Sequence, residues 1–254
     1  MSTLTYAVRD SATMLRRQLR HILRYPSMTL QLVGIPIIFL LLFVYVFGGT
    51  LGAGLGDLSG GRADYVNYVT PGLLLMTVAT ACTGTAISVA MDMTEGIIAR
   101  FRTMAIARVS VLTGHVVGSL IQTMLSTAVI IGIALLIGFR PTAGLVEWIA
   151  AIGVLAMLSF AMVTKSVESA SSLPAPLVFL PFLGSGFVPT DSMPTGLRWF
   201  AEYQPFTPVI ETLRGLLMGT AIGNNAVIAL AWCAGIALAG YLWAKTLFNR
   251  DPAH

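Results

Sequence analysis

The side chains able to do chemistry are few, and their spacing argues against most chemistries. Ser185 stands between Gly184 and Gly186. There it could act as a nucleophile if a general base lay within hydrogen-bond reach. The histidines are His21, His115 and His254. His115 falls at the start of one long apolar run and Ser185 near the end of another, which predicts a membrane thickness between them. Ser185 therefore reads as a small packing residue. No group of His, Cys and carboxylates has metal-ligand spacing, and Cys82 and Cys233 lie inside apolar runs as small apolar side chains. A P-loop needs a lysine after glycine to reach the terminal phosphates. The lysines, Lys165 and Lys245, follow Thr164 and Ala244, so the sequence carries no P-loop. It also lacks a TVGYG filter and an arginine ladder.

Composition explains why catalytic residues are scarce. Of 254 residues, 56% are hydrophobic and 10% charged, with a mean hydropathy of +0.83. Soluble domains carry about 25% charged residues, so a soluble enzyme and a disordered chain are both excluded. Six runs, 25–56, 65–91, 109–139, 148–164, 169–190 and 215–244, contain no Asp, Glu, Lys or Arg. A bilayer core of ~30 Å needs about 20 apolar residues as a helix. The runs are continuous rather than alternating, so a β-barrel does not fit. The fold class is an all-α membrane protein with six transmembrane helices.

The predicted segments are an interfacial helix at 1–25, spans at 28–48, 68–91, 114–138, 147–166, 171–188 and 224–246, a cytoplasmic helix at 93–110, and outer re-entrant helices at 190–219. With both termini inside, the inner segments hold 11 of the 15 Lys and Arg. Arg62, Arg140, Arg198 and Arg214 fall outside, as the positive-inside rule favours. The net charge of +4 thus reports orientation, and nucleic-acid binding is not needed to explain it. In 8–25, Arg9, Thr13, Arg16, Arg20 and Arg24 share one helical face opposite Val8, Ala12, Leu15, Leu19, Ile22 and Leu23. That pattern suits the headgroup boundary.

Several local features set the expected boundaries. A Gly-rich loop is expected from Gly48 to Gly61, and Pro71 suits the first turn of the second span. The fifth span is broken by Pro174, Pro176 and Pro181, so it should face protein or a cavity. Asp191 or Ser192 can cap a helix starting at Pro194. A second short helix starts near Thr207-Pro208, and Gly219 is a C-terminal stop. Between the second and third spans, Arg100, Arg102 and Arg108 alternate with Ile97, Ile98, Phe101, Met104 and Ile106. A connecting loop needs no such apolar content, which suggests a helix docking on membrane or on a partner. The six runs hold no Asp, Glu, Lys or Arg for ion coupling, so energy from outside the chain fits best.

These patterns resemble the ABC-2 type permeases, especially the daunorubicin-resistance-like membrane subunits of bacterial ABC exporters. The resemblance rests on Tyr65-Val-Asn-Tyr-Val-Thr-Pro71-Gly72, on Gly96-Ile-Ile-Ala-Arg100-Phe101-Arg102 followed by Arg108, and on an outer region. That region runs through Phe187-Val188-Pro189, Met193-Pro194, Leu197-Arg198, Pro205, Thr207, Glu211, Leu213-Arg214 and Gly219. The chain departs from the family at Met104-Ala105, where Leu-Pro is frequent, and at Ala107 and His115, where Ser and Arg are.

The resemblance implies an ATP-driven exporter in the bacterial inner membrane, both termini cytoplasmic. Two permease subunits, alike or different, would pair with two copies of a nucleotide-binding ATPase subunit, which binds ATP and Mg; this chain carries no cofactor. Glu95, Arg100, Phe101, Arg102, Met104 and Arg108 are the expected ATPase-coupling residues. Met76, Thr80, Phe179 and Phe182 are expected along the substrate pathway, which suits an amphipathic drug or lipid-like cargo. The other readings are an ion-coupled secondary transporter and a non-transport membrane scaffold or sensor.

Overall fold

The computed structural model describes residues 26–53, 61–94, 108–168 and 175–248. The interfacial segment, Glu95, Arg100, Phe101, Arg102 and Met104 lie outside the described residues. Among the described residues every regular element is helical. They are α1 (Pro26–Leu41), a π-helical turn (Leu42–Phe47), α2 (Gly48–Ala53), α3 (Arg62–Thr94), α4 (Arg108–Ile137), α5 (Leu145–Glu168), a 3₁₀ segment (Ala175–Leu183), a 3₁₀ turn (Thr190–Ser192), α6 (Thr195–Tyr203), α7 (Phe206–Met218) and α8 (Asn225–Phe248).

Among the described residues, four stretches are long and apolar enough to cross a bilayer: Leu32–Gly52, Arg62–Ile87, Val116–Ile137 and Leu145–Val163. They differ in what surrounds them. The α3 stretch is 78% buried, whereas those of α1 and α4 are each 28% buried. α3 is therefore the axis of the bundle. α1, α4, α5, α7 and the 3₁₀ segment all pack on it, while α8 lies against α5 and α7. Outward side chains such as Ile38, Leu125, Leu136, Val146 and Val227 are exposed and apolar, as a lipid-facing surface requires.

Hydroxyls on these helices are satisfied locally. In α3, Thr70 donates to the Val66 carbonyl at 2.6 Å, Thr77 to Leu73 at 2.8 Å and Thr85 to Ala81 at 3.0 Å. In α4, Thr123 donates to Ser119 at 2.8 Å. Such bonding to the preceding turn lets a polar side chain sit in an apolar helix. The hydroxyls of Thr85 and Ser119 also bond to each other, tying α3 to α4. Cys82 and Cys233 are both buried free thiols.

Three sequence expectations are corrected. Pro71 lies inside α3, which begins at Arg62, nine residues earlier. Proline removes only one donor, and Tyr65, Val66 and Val69 bury themselves before it, so the helix continues through. The stretch from Gly48 is helical as far as Ala53, because α2 packs against α3. Finally, neither Asp191 nor Ser192 caps α6. Pro194 occupies the N-cap without a side-chain bond; Ser192 donates instead to Pro189 O at 2.7 Å, and Asp191 pairs with Arg198 at 2.6 Å.

Gly219 ends α7 with φ of 69°, a left-handed cap. A Cβ there would stand 3.2 Å from Thr142 Oγ1. Gly219→Ala should therefore lower stability by about 1 kcal/mol, read as a lower melting midpoint in detergent.

Candidate functional site

The helices bring one set of polar groups and one set of aromatic rings together at the same end of the bundle. The loop after α4 defines that end. Arg140 donates its backbone N–H to Asn67 Oδ1 of α3 at 2.9 Å, and its guanidinium reaches the Leu135 and Phe139 carbonyls at 3.0 and 3.1 Å. Thr142 N–H donates to Leu217 O of α7 at 3.0 Å. Arg62 stacks over the Tyr45 ring at 5.2 Å. Arg62, Arg140 and Arg214 thus share one end.

At its centre is a non-helical turn, 184–188, that follows the 3₁₀ segment. Prolines explain why the chain is not α-helical here: Pro181 lies inside the 3₁₀ segment and Pro189 follows the turn. The freed backbone is held by other elements. Arg214 of α7 donates through Nη2 to Ser185 O at 2.7 Å and to Tyr68 O of α3 at 3.2 Å. Through Nη1 it pairs with Glu211 at 2.6 Å, and its guanidinium lies 3.8 Å from the Tyr68 ring centroid. The Tyr65 hydroxyl donates to Phe187 O at 3.2 Å. Thr207 Oγ1 accepts from Ser185 N–H and from Gln204 Nε2, both at 3.4 Å.

Closeness of backbones completes the joint. A Cβ on Gly72 would stand 2.6 Å from Gly186 O and 2.7 Å from Gly186 Cα. Only glycine lets α3 approach the turn this closely.

The aromatic set comes from α1, the π-helical turn after it and the broken segment. Phe39 of α1 is followed at intervals of four by Phe43 and Phe47 of the π-helical turn, and successive rings lie 6.1 and 5.8 Å apart. Phe182 stacks on Phe187 at 4.3 Å with nearly parallel rings. Phe43 lies 4.6 Å from Phe187, and Phe39 lies 5.4 Å from Phe182 edge-on. Phe182 is half-buried in this stack, whereas Phe179 is 64% exposed.

Met76 is buried in α3 at 1% exposure. Thr80, one turn later, is half-buried and donates to Met76 O at 2.8 Å. Of the expected coupling residues, Arg108 begins α4. Sequence reasoning named Thr207, Glu211 and Arg214 only as marks of the outer region, and missed that they meet the 184–188 turn together with Gln204. Thr207, Glu211 and Arg214, spaced four and three, share one face of α7, a signal present in the sequence, whereas Gln204 is the extended residue that caps the end of α6. Farther out, Arg198 pairs with Glu202 at 2.7 Å. Glu202's hydrogen bond and Asp191's charge raise the Arg198 pKa above its ordinary value.

An apolar multi-pass helical bundle with an interrupted, internally anchored segment defines a membrane protein rather than a soluble enzyme. The family model described as ABC-2 type transporter matches residues 10–218, and the chain belongs to that family. It is homologous to a daunorubicin resistance ABC transporter permease protein, DrrB1, of Streptomyces coeruleorubidus. That relative is 25% identical over 258 residues, with 98% of this chain and 89% of that protein covered. A probable doxorubicin resistance ABC transporter permease protein, DrrC, of Mycobacterium tuberculosis (strain ATCC 25618 / H37Rv) is 27% identical over 198 residues. Those residues span 73% of this chain and 71% of that one.

Proposed function

We propose that this chain is the permease subunit of an ATP-driven exporter that moves an amphipathic drug or lipid-like cargo outward. The observation that carries this is the pairing of membership in the ABC-2 family with long apolar runs that contain no Asp, Glu, Lys or Arg. In α3 and α5 the described charged side chains, Arg62, Asp64 and Glu147, sit at helix starts. The energy then comes from a separate ATPase subunit, with which permeases of this family normally work. That partner holds ATP and Mg, and the complex contains two permeases and two ATPases.

On this reading the chain crosses the bacterial inner membrane six times, with both termini cytoplasmic. The 3₁₀ segment and the turn after it are the outer part of the fifth crossing. α6 and α7 are re-entrant helices of the outer leaflet, where Trp199 and Tyr203, both 65% exposed, suit the interface. The arginine-bearing end faces outward, in keeping with the charge distribution. Glu95, Arg100, Phe101, Arg102, Met104 and Arg108 contact the ATPase. Met76, Thr80, Phe179 and Phe182 line the path, whose apolar character suits an amphipathic cargo.

The test is co-purification with a candidate ABC ATPase subunit from the same organism, followed by reconstitution in lipid. A complex with two of each subunit, whose ATP hydrolysis rises when doxorubicin or a short-chain fluorescent phospholipid is added, is the expected result. Failure to form a complex with any ATPase subunit, or ATP hydrolysis that neither cargo changes, would overturn the proposal.

A further inference from the structure

The polar face of α7 is more than a tie. Among the described residues, three buried polar side-chain atoms lack a hydrogen-bond partner: Ser185 Oγ, Gln204 Oε1 and Arg214 Nε. All three belong to the joint around the 184–188 turn. Ser185 is 3% exposed and Gln204 5%, and the Arg214 side chain is 12% exposed. Buried polar atoms are normally paired, and leaving one dry and unpaired disfavours the arrangement that buries it. Against this stand the contacts of Arg214. Its guanidinium holds Ser185 O, Tyr68 O and Glu211 together and lies on the Tyr68 ring. The planar fork lets Nη1 hold Glu211 while Nη2 spans the two carbonyls, a fixed geometry that a lysine ammonium does not reproduce.

Two opposing tendencies therefore meet at one place. Arg214 closes the turn onto α3, while the unpartnered atoms favour an arrangement in which water reaches them. Elements balanced in this way switch between discrete states rather than deforming gradually. We infer that Arg214 is a positioning residue, a latch that holds the 184–188 turn shut across the outer end of the permease, and that the turn opens when the latch lets go. The outward placement rests on the export reading above, but the latch itself is a property of this chain.

The test uses the full chain in proteoliposomes, with Cys82→Ala and Cys233→Ala removing the native thiols and Ser185→Cys as reporter. The Ser185 hydroxyl has no partner, so the reporter removes no hydrogen bond. Labelling by a membrane-impermeant maleimide should be slow with Arg214 present. It should quicken roughly tenfold or more in Arg214→Gln, the population change that losing a charged hydrogen bond brings. Arg214→Lys should fall between, and it carries the test if the glutamine variant does not assemble. Equal labelling with arginine, lysine and glutamine at 214 would overturn the latch.

Adding the ATPase separates the two readings. Faster labelling in the Arg214 variants without any response to ATP keeps the latch and rejects the export cycle. A response to ATP with no effect of Arg214 does the reverse. In otherwise native protein, Ser185→Ala should leave the melting midpoint unchanged or raise it, since an unpaired hydroxyl is removed; a clear fall would count against the latch.

Discussion

Gly72→Val should abolish assembly of the folded permease, while Gly84→Ala on the same helix should be neutral or stabilising. At Gly72 the new Cβ would meet the Gly186 carbonyl oxygen at 2.6 Å, its Cα at 2.7 Å and its carbonyl carbon at 2.9 Å. These are backbone atoms and cannot rotate away. The turn cannot retreat either, because a Cβ on Gly186 would itself meet Pro181 O at 2.7 Å. α3 and the turn must then part, releasing the Tyr65 and Arg214 bonds as well. Overpacking alone costs ~1–3 kcal/mol, and each buried bond left unmade adds about 1–3 kcal/mol. That sum is a large share of a typical folding stability of ~5–15 kcal/mol. At Gly84, the nearest neighbour of an added Cβ is Leu32 Cδ1 at 3.8 Å, an ordinary contact. Alanine is favoured over glycine in a helix by about 1 kcal/mol. Yield of monodisperse protein and melting midpoint in detergent check the pair. Equal behaviour of the two variants would show that α3 and the turn do not meet closely.

Arg102→Glu should eliminate cargo-stimulated ATP hydrolysis in the reconstituted complex while leaving membrane insertion intact. This follows from the proposed docking of Arg100, Phe101, Arg102, Met104 and Arg108 on the ATPase. An effector can shift a two-state partner only through contacts that differ between its states. Reversing a charge in such a contact removes a charged hydrogen bond, ~1.5–3 kcal/mol, and adds repulsion. Stimulation should drop by more than about tenfold. Phe101→Ala should weaken the same coupling without altering charge. Normal stimulation in both variants would remove 93–110 from the coupling path.

Periodicity and charge made the broad architecture readable. Long uncharged runs specify membrane helices because lipid leaves the backbone no other way to satisfy itself. Gly219 was readable as a stop because a left-handed cap favours glycine. Pro71 misled: a proline early in an apolar run usually marks a first turn. Here the preceding Tyr65, Val66 and Val69 gain enough burial to extend α3 upstream of it. The caps expected from Asp191 and Ser192 lost to Arg198 and Pro189 O as partners.

The joint around Arg214 shows where single-sequence reasoning runs out. The spacing of Thr207, Glu211 and Arg214 announces a polar face on α7. Nothing in it reveals that Ser185 O and Tyr68 O, 29 and 146 residues away in sequence, are what that face holds. The clustering of Phe39 and Phe43 with Phe182 and Phe187 is hidden in the same way. Their aromatic character is evident, but their meeting depends on where the prolines send the chain.

The most direct measurement is of transport itself, in sealed inside-out vesicles containing the permease and its ATPase, with ion gradients collapsed by ionophores. Doxorubicin should accumulate in the lumen when ATP is added. Accumulation should cease when the ATPase is omitted or when its P-loop lysine is replaced. Uptake that proceeds without the ATPase, or that requires an ion gradient, would contradict an energy supply lying outside this chain.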